Sequence, residues 1–200
     1  MQAMFPIQAD TQITGLILAG GRARRLDGQD KGLIQLANRP LVGHVIDKLQ
    51  PQTATILINA NRNLSVYKEF GYPVVADSLP DFAGPLAGLL AGLHNINTDW
   101  LVSVPCDNPH LPDSLVASLV EVANEKQCRL TVASSENQLQ PVYCLIHRSL
   151  QASLADYLAS GQHKVRDWIA NQQHSIAEFS EPREFENINT PEQLAEAQRQ

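Results

Sequence analysis

The chain has 200 residues and a formal net charge of −6, a length suited to one domain and a balance that excludes general nucleic-acid or anionic-membrane binding. Apolar residues make up 44% and charged residues 18%, which supplies a sizeable core and excludes a disordered chain. Cys106, Cys128 and Cys144 are odd in number and widely spaced, so neither a disulfide framework nor a zinc site is expected, and a reducing, cytoplasmic setting fits best.

Residues 1–12 lack the basic start and apolar run of a secretory signal and read as a short flexible tail, leaving 13–200 as a single domain. The longest weakly polar run, 82–93, is too short to span a bilayer. An apolar run over 13–18 predicts a buried strand. It breaks at Ala19-Gly20-Gly21 into a loop carrying Arg22, Arg24, Arg25 and Lys31. Small residues there let a ligand approach the backbone, whose N–H groups can bond anionic oxygens. The whole chain has only 15 Lys and Arg, and four lie in this loop, which marks it as a phosphate site. The spacing matches neither the Walker nor the Rossmann glycine pattern, so the grip differs from both.

Apolar positions Leu41, Val42, Val45, Ile46 and Leu49, entered through Pro40, predict a helix. A second buried strand covers 55–59 and ends in Asn59. A short helix near 64–70 leads to a third strand at 73–76, with Asp77 directly after it. Residues 84–95 form a helix entered through Gly84-Pro85, and 100–104 a fourth strand ending at Pro105-Cys106-Asp107-Asn108-Pro109. A helix over 111–126, strands over 130–133 and 141–146, and helices over 150–158 and 165–170 follow. A last helix starts at Thr190, whose pairing with Gln193 predicts a capping box. Strands alternating with helices predict an α/β fold: an open, mostly parallel, doubly wound Rossmann-like sheet with helices on both faces. Ligands in such sheets lie beyond the carboxyl ends of the strands, where Gly20, Asn59, Asp77 and Asp107 all fall.

A carboxylate at Asp107 facing a phosphate-gripping loop would repel its ligand unless a divalent cation lay between, and Mg²⁺ takes one or two carboxylates plus phosphate oxygens. Asp107 is therefore a candidate metal ligand rather than a turn cap. Asp77 either reads a base or caps the next loop, and Asn59 is either a turn residue or a base-edge contact. Gly84, Gly88 and Gly92 share one helical face. Close packing on the sheet accounts for Gly88 and Gly92, and room for a nucleotide for Gly84. His44 and His94 read as structural. Cys106 has no His or Lys partner in sequence that would make it a nucleophile.

The run Leu18-Ala19-Gly20-Gly21 with Arg25 and Asp30-Lys31-Gly32, then Pro105-Cys106-Asp107 with Pro109 and Leu111-Pro112, resembles the molybdenum cofactor guanylyltransferases (MobA). Asp77-Ser78, Gly84-Pro85-Leu86-Ala87-Gly88 and Asn187-Ile188-Asn189-Thr190-Pro191 extend the resemblance over nearly the whole chain. It implies transfer of GMP from Mg-GTP to the terminal phosphate of molybdopterin, releasing pyrophosphate. On that resemblance Leu18, Ala19, Gly20, Gly21, Asn59, Asp77 and Gly84 hold the nucleotide, and Arg25 and Lys31 grip the triphosphate. Asp107 binds Mg²⁺, and Asn187 and Asn189 meet the pterin. Implied partners are GTP and molybdopterin as substrates, with molybdoenzyme apoproteins and upstream cofactor-synthesis proteins beyond them. One departure is visible: the family's Arg-Met-Gly-Gly is here Arg25-Leu26-Asp27-Gly28, which puts a negative charge into the phosphate loop. The alternatives are a cytidylyl- or sugar-1-phosphate nucleotidyltransferase, or a GTP-binding adaptor without chemistry. For the transfer itself, the attacking phosphate is already ionised, so no essential general base is expected, and catalysis is positioning plus charge neutralisation by Asp107, Arg25 and Lys31.

Overall fold

The computed structural model describes residues 5–21, 30–77 and 84–199. The strands are β1 (Ile13–Leu18), β2 (Gln35–Leu36), β3 (Arg39–Pro40), β4 (Thr55–Asn59), β5 (Val74–Val75), β6 (Trp100–Pro105), β7 (Leu130–Ser135), β8 (Gln138–His147) and β9 (Ser175–Phe179). The helices are α1 (Leu41–Leu49), α2 (Leu64–Lys68), α3 (Pro85–Asn95), α4 (Leu115–Lys126), α5 (Gln151–Ala159), α6 (Val165–Ala170) and α7 (Pro191–Ala197). Seven strands make one sheet in the order β5-β4-β1-β6-β8-β7-β9, and β2 and β3 form a small separate hairpin.

β1 is buried because it has a helix layer on each side. Ile17 faces a cluster with Val42, Val45 and Leu49 of α1 and Leu115 and Leu119 of α4. Its neighbour Leu16 faces the opposite cluster, with Leu86, Leu89 and Leu93 of α3 and Leu154 and Leu158 of α5. Alternate side chains of one strand thus feed both cores, which is why Leu16, Ile17 and Leu18 are apolar in succession instead of alternating with polar residues.

β5, β4, β1 and β6 run parallel, as the alternating pattern predicts. β8 is the exception, antiparallel to both β6 and β7. The reason is the link between β7 and β8: Glu136 and Asn137, with φ of 51° and 60°, make a two-residue turn that can only join antiparallel neighbours. β9 is an additional edge strand, parallel to β7, with Ser175, Ala177 and Phe179 turned inward. α4 begins at Leu115 rather than at residue 111, and Leu111 packs in the core just before it. The capping box on α7 is present as expected.

Residues 5–12 depart from the expected flexible tail. Phe5 packs edge-on against Trp100 with ring centroids 5.8 Å apart. The Ile7 N–H donates to Asn124 Oδ1 at 2.6 Å, and Asn124 Nδ2 donates back to the Ile7 carbonyl at 3.1 Å. Ile7 itself is buried in the α1–α4 core. Two apolar anchors and a reciprocal amide pair hold this segment to the domain. Among the described residues no helix is long and apolar enough to cross a membrane.

Candidate active site

The parallel ladder brings the strand ends into register: Leu18 lies beside Asn59 on one side and Pro105 on the other, and Asn59 beside Val75. The pairing runs one step past the strands, through Ala19 N–H to the Asn59 carbonyl (2.8 Å) and Cys106 N–H to the Leu18 carbonyl (3.1 Å). Beyond that edge the chains diverge around a pocket of about 480 Å³. Leu18, Ala19, Gly20, Gly21, Lys31, Asn59, Asp77, Gly84, Asp107, Asn187 and Asn189 all line it. Arg25 and Asp27 lie outside the described residues.

At the β6 end, Asp107 is 6% exposed and its Oδ2 sits 3.2 Å from Lys31 Nζ. Burial pushes its carboxyl above the usual carboxylate range, and the lysine only partly opposes that shift. Lys31 also donates to Asn189 Oδ1, across 158 positions of sequence. Its neighbours explain how it is aimed. Asp30 accepts from Tyr67 Oη at 2.6 Å and Asn63 Nδ2 at 3.2 Å, which fixes the chain on one side. On the other side Gly32 is packed so tightly that a Cβ would stand 2.5 Å from Tyr67 Oη. The Asp-Lys-Gly triplet is thus an anchor, a pocket-lining cation and a close approach, in that order.

The segment after β6 is tied to the C-terminal segment. Ile188 N–H donates to the Asp107 carbonyl at 2.8 Å. Buried Asn108 donates to Tyr143 Oη and to the Glu184 carbonyl, both at 2.7 Å, and Tyr143 Oη donates to Asn187 Oδ1 at 3.1 Å. Tyr143 belongs to an irregularity of β8 at which the β7 register shifts after Val132. Burial pushes the Tyr143 phenol up, so it stays a neutral donor. Burial, reinforced by the adjoining Asp107 charge, pushes the Cys106 thiol well up, which leaves it without nucleophilic character, as expected from the sequence.

At the β4–β5 end, Asn59 Nδ2 donates to Asp77 Oδ1 at 2.8 Å and to the Val75 carbonyl at 3.3 Å. A residue not singled out from sequence completes the arrangement. Asn61 Nδ2 donates to Asp77 Oδ2 at 2.8 Å and to the Gly20 carbonyl at 3.3 Å, while its Oδ1 accepts the Asp77 N–H at 2.9 Å. Asn59, Asn61 and Asp77 are thus joined in one hydrogen-bonded cluster. The signal in sequence was only the Asn-x-Asn spacing after β4.

The three glycines of the α3 face separate. Gly92 is a packing glycine, with Leu16 and Leu101 where its Cβ would be. Gly88 meets the site itself: a Cβ there would lie 2.4 Å from Asn59 Oδ1. Gly84 has nothing among the described residues within 4 Å of its Cβ position, and its φ of 75° with ψ of −164° is open essentially to glycine alone. The backbone turn into α3, rather than crowding, requires it.

Residues 15–176 match the family described as the MobA-like NTP transferase domain. The chain belongs to this family. The MobA-like match covers the sheet from β1 to the start of β9, so the pocket-lining strand ends all fall inside it. A molybdenum cofactor guanylyltransferase of Vibrio cholerae serotype O1 is 46% identical over 193 residues, covering 96% of this chain and 94% of the relative. One of Shewanella halifaxensis is 45% identical over 183 residues, covering 91% and 92%. Among solved structures, molybdopterin-guanine dinucleotide biosynthesis protein A from Archaeoglobus fulgidus superposes with a TM-score of 0.75 at 19% identity, covering 93% of this chain and 97% of that one. A CMP:2-keto-3-deoxy-manno-octonic acid synthetase complexed with CTP superposes with a TM-score of 0.74 at 13% identity, covering 94% and 98%. At those identities the likeness is one of fold: the sheet is that of the nucleotidyltransferases, and this MobA-like chain is a nucleotidyltransferase.

Proposed function

We propose that this chain transfers GMP from GTP to the terminal phosphate of molybdopterin. The observation that carries the reading is the pairing of two carboxylates in different surroundings on one pocket: Asp77 held by the amides of Asn59 and Asn61, and Asp107 buried against Lys31. The sheet order places three strand spacings, roughly 14 Å, between the ends that carry them. Such a separation suits a base at one end and phosphates at the other. An ionised carboxylate has about four acceptor positions. The two amides use two of those of Asp77, and the remainder suit the adjacent N1–H and N2–H donors of guanine.

The donor set at Asp107 fits Mg²⁺. Among the described residues there is no cluster of three or more His, Cys, Asp or Glu that could form a protein cage. One buried carboxylate beside a phosphate site is the arrangement in which substrate oxygens complete the shell. Bound there, the ion would supply charge neutralisation on the transferring and departing phosphates. Lys31 holds the phosphates beside Asp107, and Arg25 is assigned to the same grip. Gly20, packed against Asn59 and Asn61, and Gly21 beside it are assigned to the nucleotide. Asn187 and Asn189, on the pocket wall next to Lys31, are assigned to the pterin side. An oxygen of the acceptor phosphate bonds to the α-phosphorus as the bond to the β-phosphate oxygen breaks, and pyrophosphate leaves with that electron pair. No side chain must take a proton, because the acceptor oxygen is already ionised. Molybdoenzyme apoproteins are the proposed recipients of the product.

Calorimetric titration with GTP, ATP and CTP, each with Mg²⁺, tests the assignment. Preference for GTP supports it, and preference for CTP or ATP overturns the named substrate while leaving the nucleotidyl chemistry.

A further inference from the structure

Asn61 does not itself line the pocket, yet its side chain bonds two residues that do, Gly20 and Asp77. Its amide nitrogen reaches both Asp77 Oδ2 and the Gly20 carbonyl, and its amide oxygen accepts the Asp77 N–H. Every polar atom of the side chain is committed to the site. The residue is itself fixed, because Ala60 before it is fully buried and its N–H donates to the Val75 carbonyl at 2.9 Å. The fit to Gly20 is equally close: a Cβ on Gly20 would stand 2.8 Å from Asn61 Nδ2. Opposite, Asn59 Nδ2 holds Asp77 Oδ1. The two oxygens of Asp77 are thus gripped separately, and rotating the carboxylate would break both bonds.

We propose that Asn61 is a positioning residue that sets nucleobase selectivity, by fixing the plane of the Asp77 carboxylate relative to the Gly20 backbone. The inference rests on the reading that Asp77 meets guanine. A carboxylate free to rotate accepts from any single donor, and the exocyclic amines of adenine and cytosine both qualify. A carboxylate held in one plane favours a base presenting two adjacent donors, which among the common bases is guanine. Asn61 therefore acts through Asp77 on the difference between bases, not on nucleotide affinity as such.

Inosine triphosphate isolates this difference, since it keeps N1–H and O6 and lacks only the N2 amine. The experiment is calorimetric titration of the full chain with GTP and with ITP, both with Mg²⁺, for the wild type, Asn61→Ala and Asn61→Ser. The serine variant keeps a polar residue in the loop but is too short to reach Asp77 and Gly20 together. The wild type should bind GTP more tightly than ITP by about 10- to 100-fold, the effect of one hydrogen bond to a charged acceptor. In both variants the ratio should fall to within a few-fold of one. General loosening of the fold would weaken both nucleotides equally and leave the ratio intact, so the ratio separates positioning from stability. If either folded variant retains the wild-type ratio, Asn61 does not set selectivity and the inference fails alone. If the wild type itself does not distinguish GTP from ITP, the contact between Asp77 and guanine fails and takes the inference with it.

Discussion

Gly88→Ala should weaken GTP binding, while Gly92→Ala, one turn along the same face of α3, should not. In each case the new methyl gains about 1 kcal/mol of helix propensity and meets a crowded site, where overpacking costs about 1–3 kcal/mol. The net loss of stability is about 0–2 kcal/mol for both, a melting shift of at most about 4–8 °C for a domain of this size. What differs is the neighbour that must yield. At Gly92 the nearest atoms are Leu16 Cδ2 at 2.6 Å and Leu101 Cδ1 at 3.0 Å, side-chain tips inside the core. At Gly88 they are Asn59 Oδ1 at 2.4 Å and Leu18 Cδ2 at 2.7 Å. Turning the Asn59 amide away sacrifices its bond to Asp77 Oδ1, and a hydrogen bond to a charged partner is worth about 1.5–3 kcal/mol. The GTP dissociation constant of Gly88→Ala should therefore rise about tenfold or more. Thermal melts and calorimetric titration of the two variants, side by side, measure both quantities. Equal GTP affinity in Gly88→Ala and the wild type would refute the link from α3 to the Asn59–Asp77 contact.

Asp107→Asn should lower turnover by about 10²–10³-fold, read as pyrophosphate release. The same variant should melt higher than the wild type at neutral pH. Burial raises the folded-state pKa of Asp107 above 3.8, so the stability its neutral form contributes is complete below the unfolded value and lost as pH rises through the folded one. The two melting curves should converge in acid, and a gap that widens toward low pH would reverse the sign of the argument. Lys31→Ala should weaken GTP binding and turnover together. It also removes the cation that opposes the upward shift of Asp107, so the acid limb of the pH–rate profile should move to higher pH. Tyr143→Phe leaves Asn187 Oδ1 without its donor and should cost about 1–3 kcal/mol in denaturant unfolding.

The parts of the site legible in the sequence were those that local pattern determines. β1, β4 and β6 are mostly apolar because both faces are covered, and the rule that ligands sit beyond such strands collected Gly20, Asn59, Asp77 and Asp107. The capping box at Thr190 needed only a spacing of three. What escaped depends on contacts between distant segments. Nothing near Asn189 announces that it accepts from Lys31, nor anything near Asn61 that it faces Asp77 sixteen positions on. The direction of β8 hung on two residues with positive φ, neither of them glycine, and Gly88 was indistinguishable from Gly92 until Asn59 was placed beside it. The N-terminal segment owes its order to distant parts of the chain, where Phe5 and Ile7 dock by finding Trp100 and Asn124.

Asp77 and Asp107 carry the same side chain at two strand ends of one sheet, and their surroundings divide the labour between them. Neutral amides hold both oxygens of Asp77, so its geometry is fixed while its charge is left for the ligand, which suits the N–H edge of a base. Asp107 has little solvent and one lysine, and the lysine does not fully offset the loss of water. On the proposed function its remaining charge is matched by a cation arriving with phosphates rather than by a neutral donor. Exchanging the two environments would leave a rigid acceptor facing phosphates and a desolvated charge facing a base, each repelling or mismatching its ligand. The polarity proposed for the pocket, base toward β5 and phosphates toward β6, therefore follows from which carboxylate received the amides and which received the lysine.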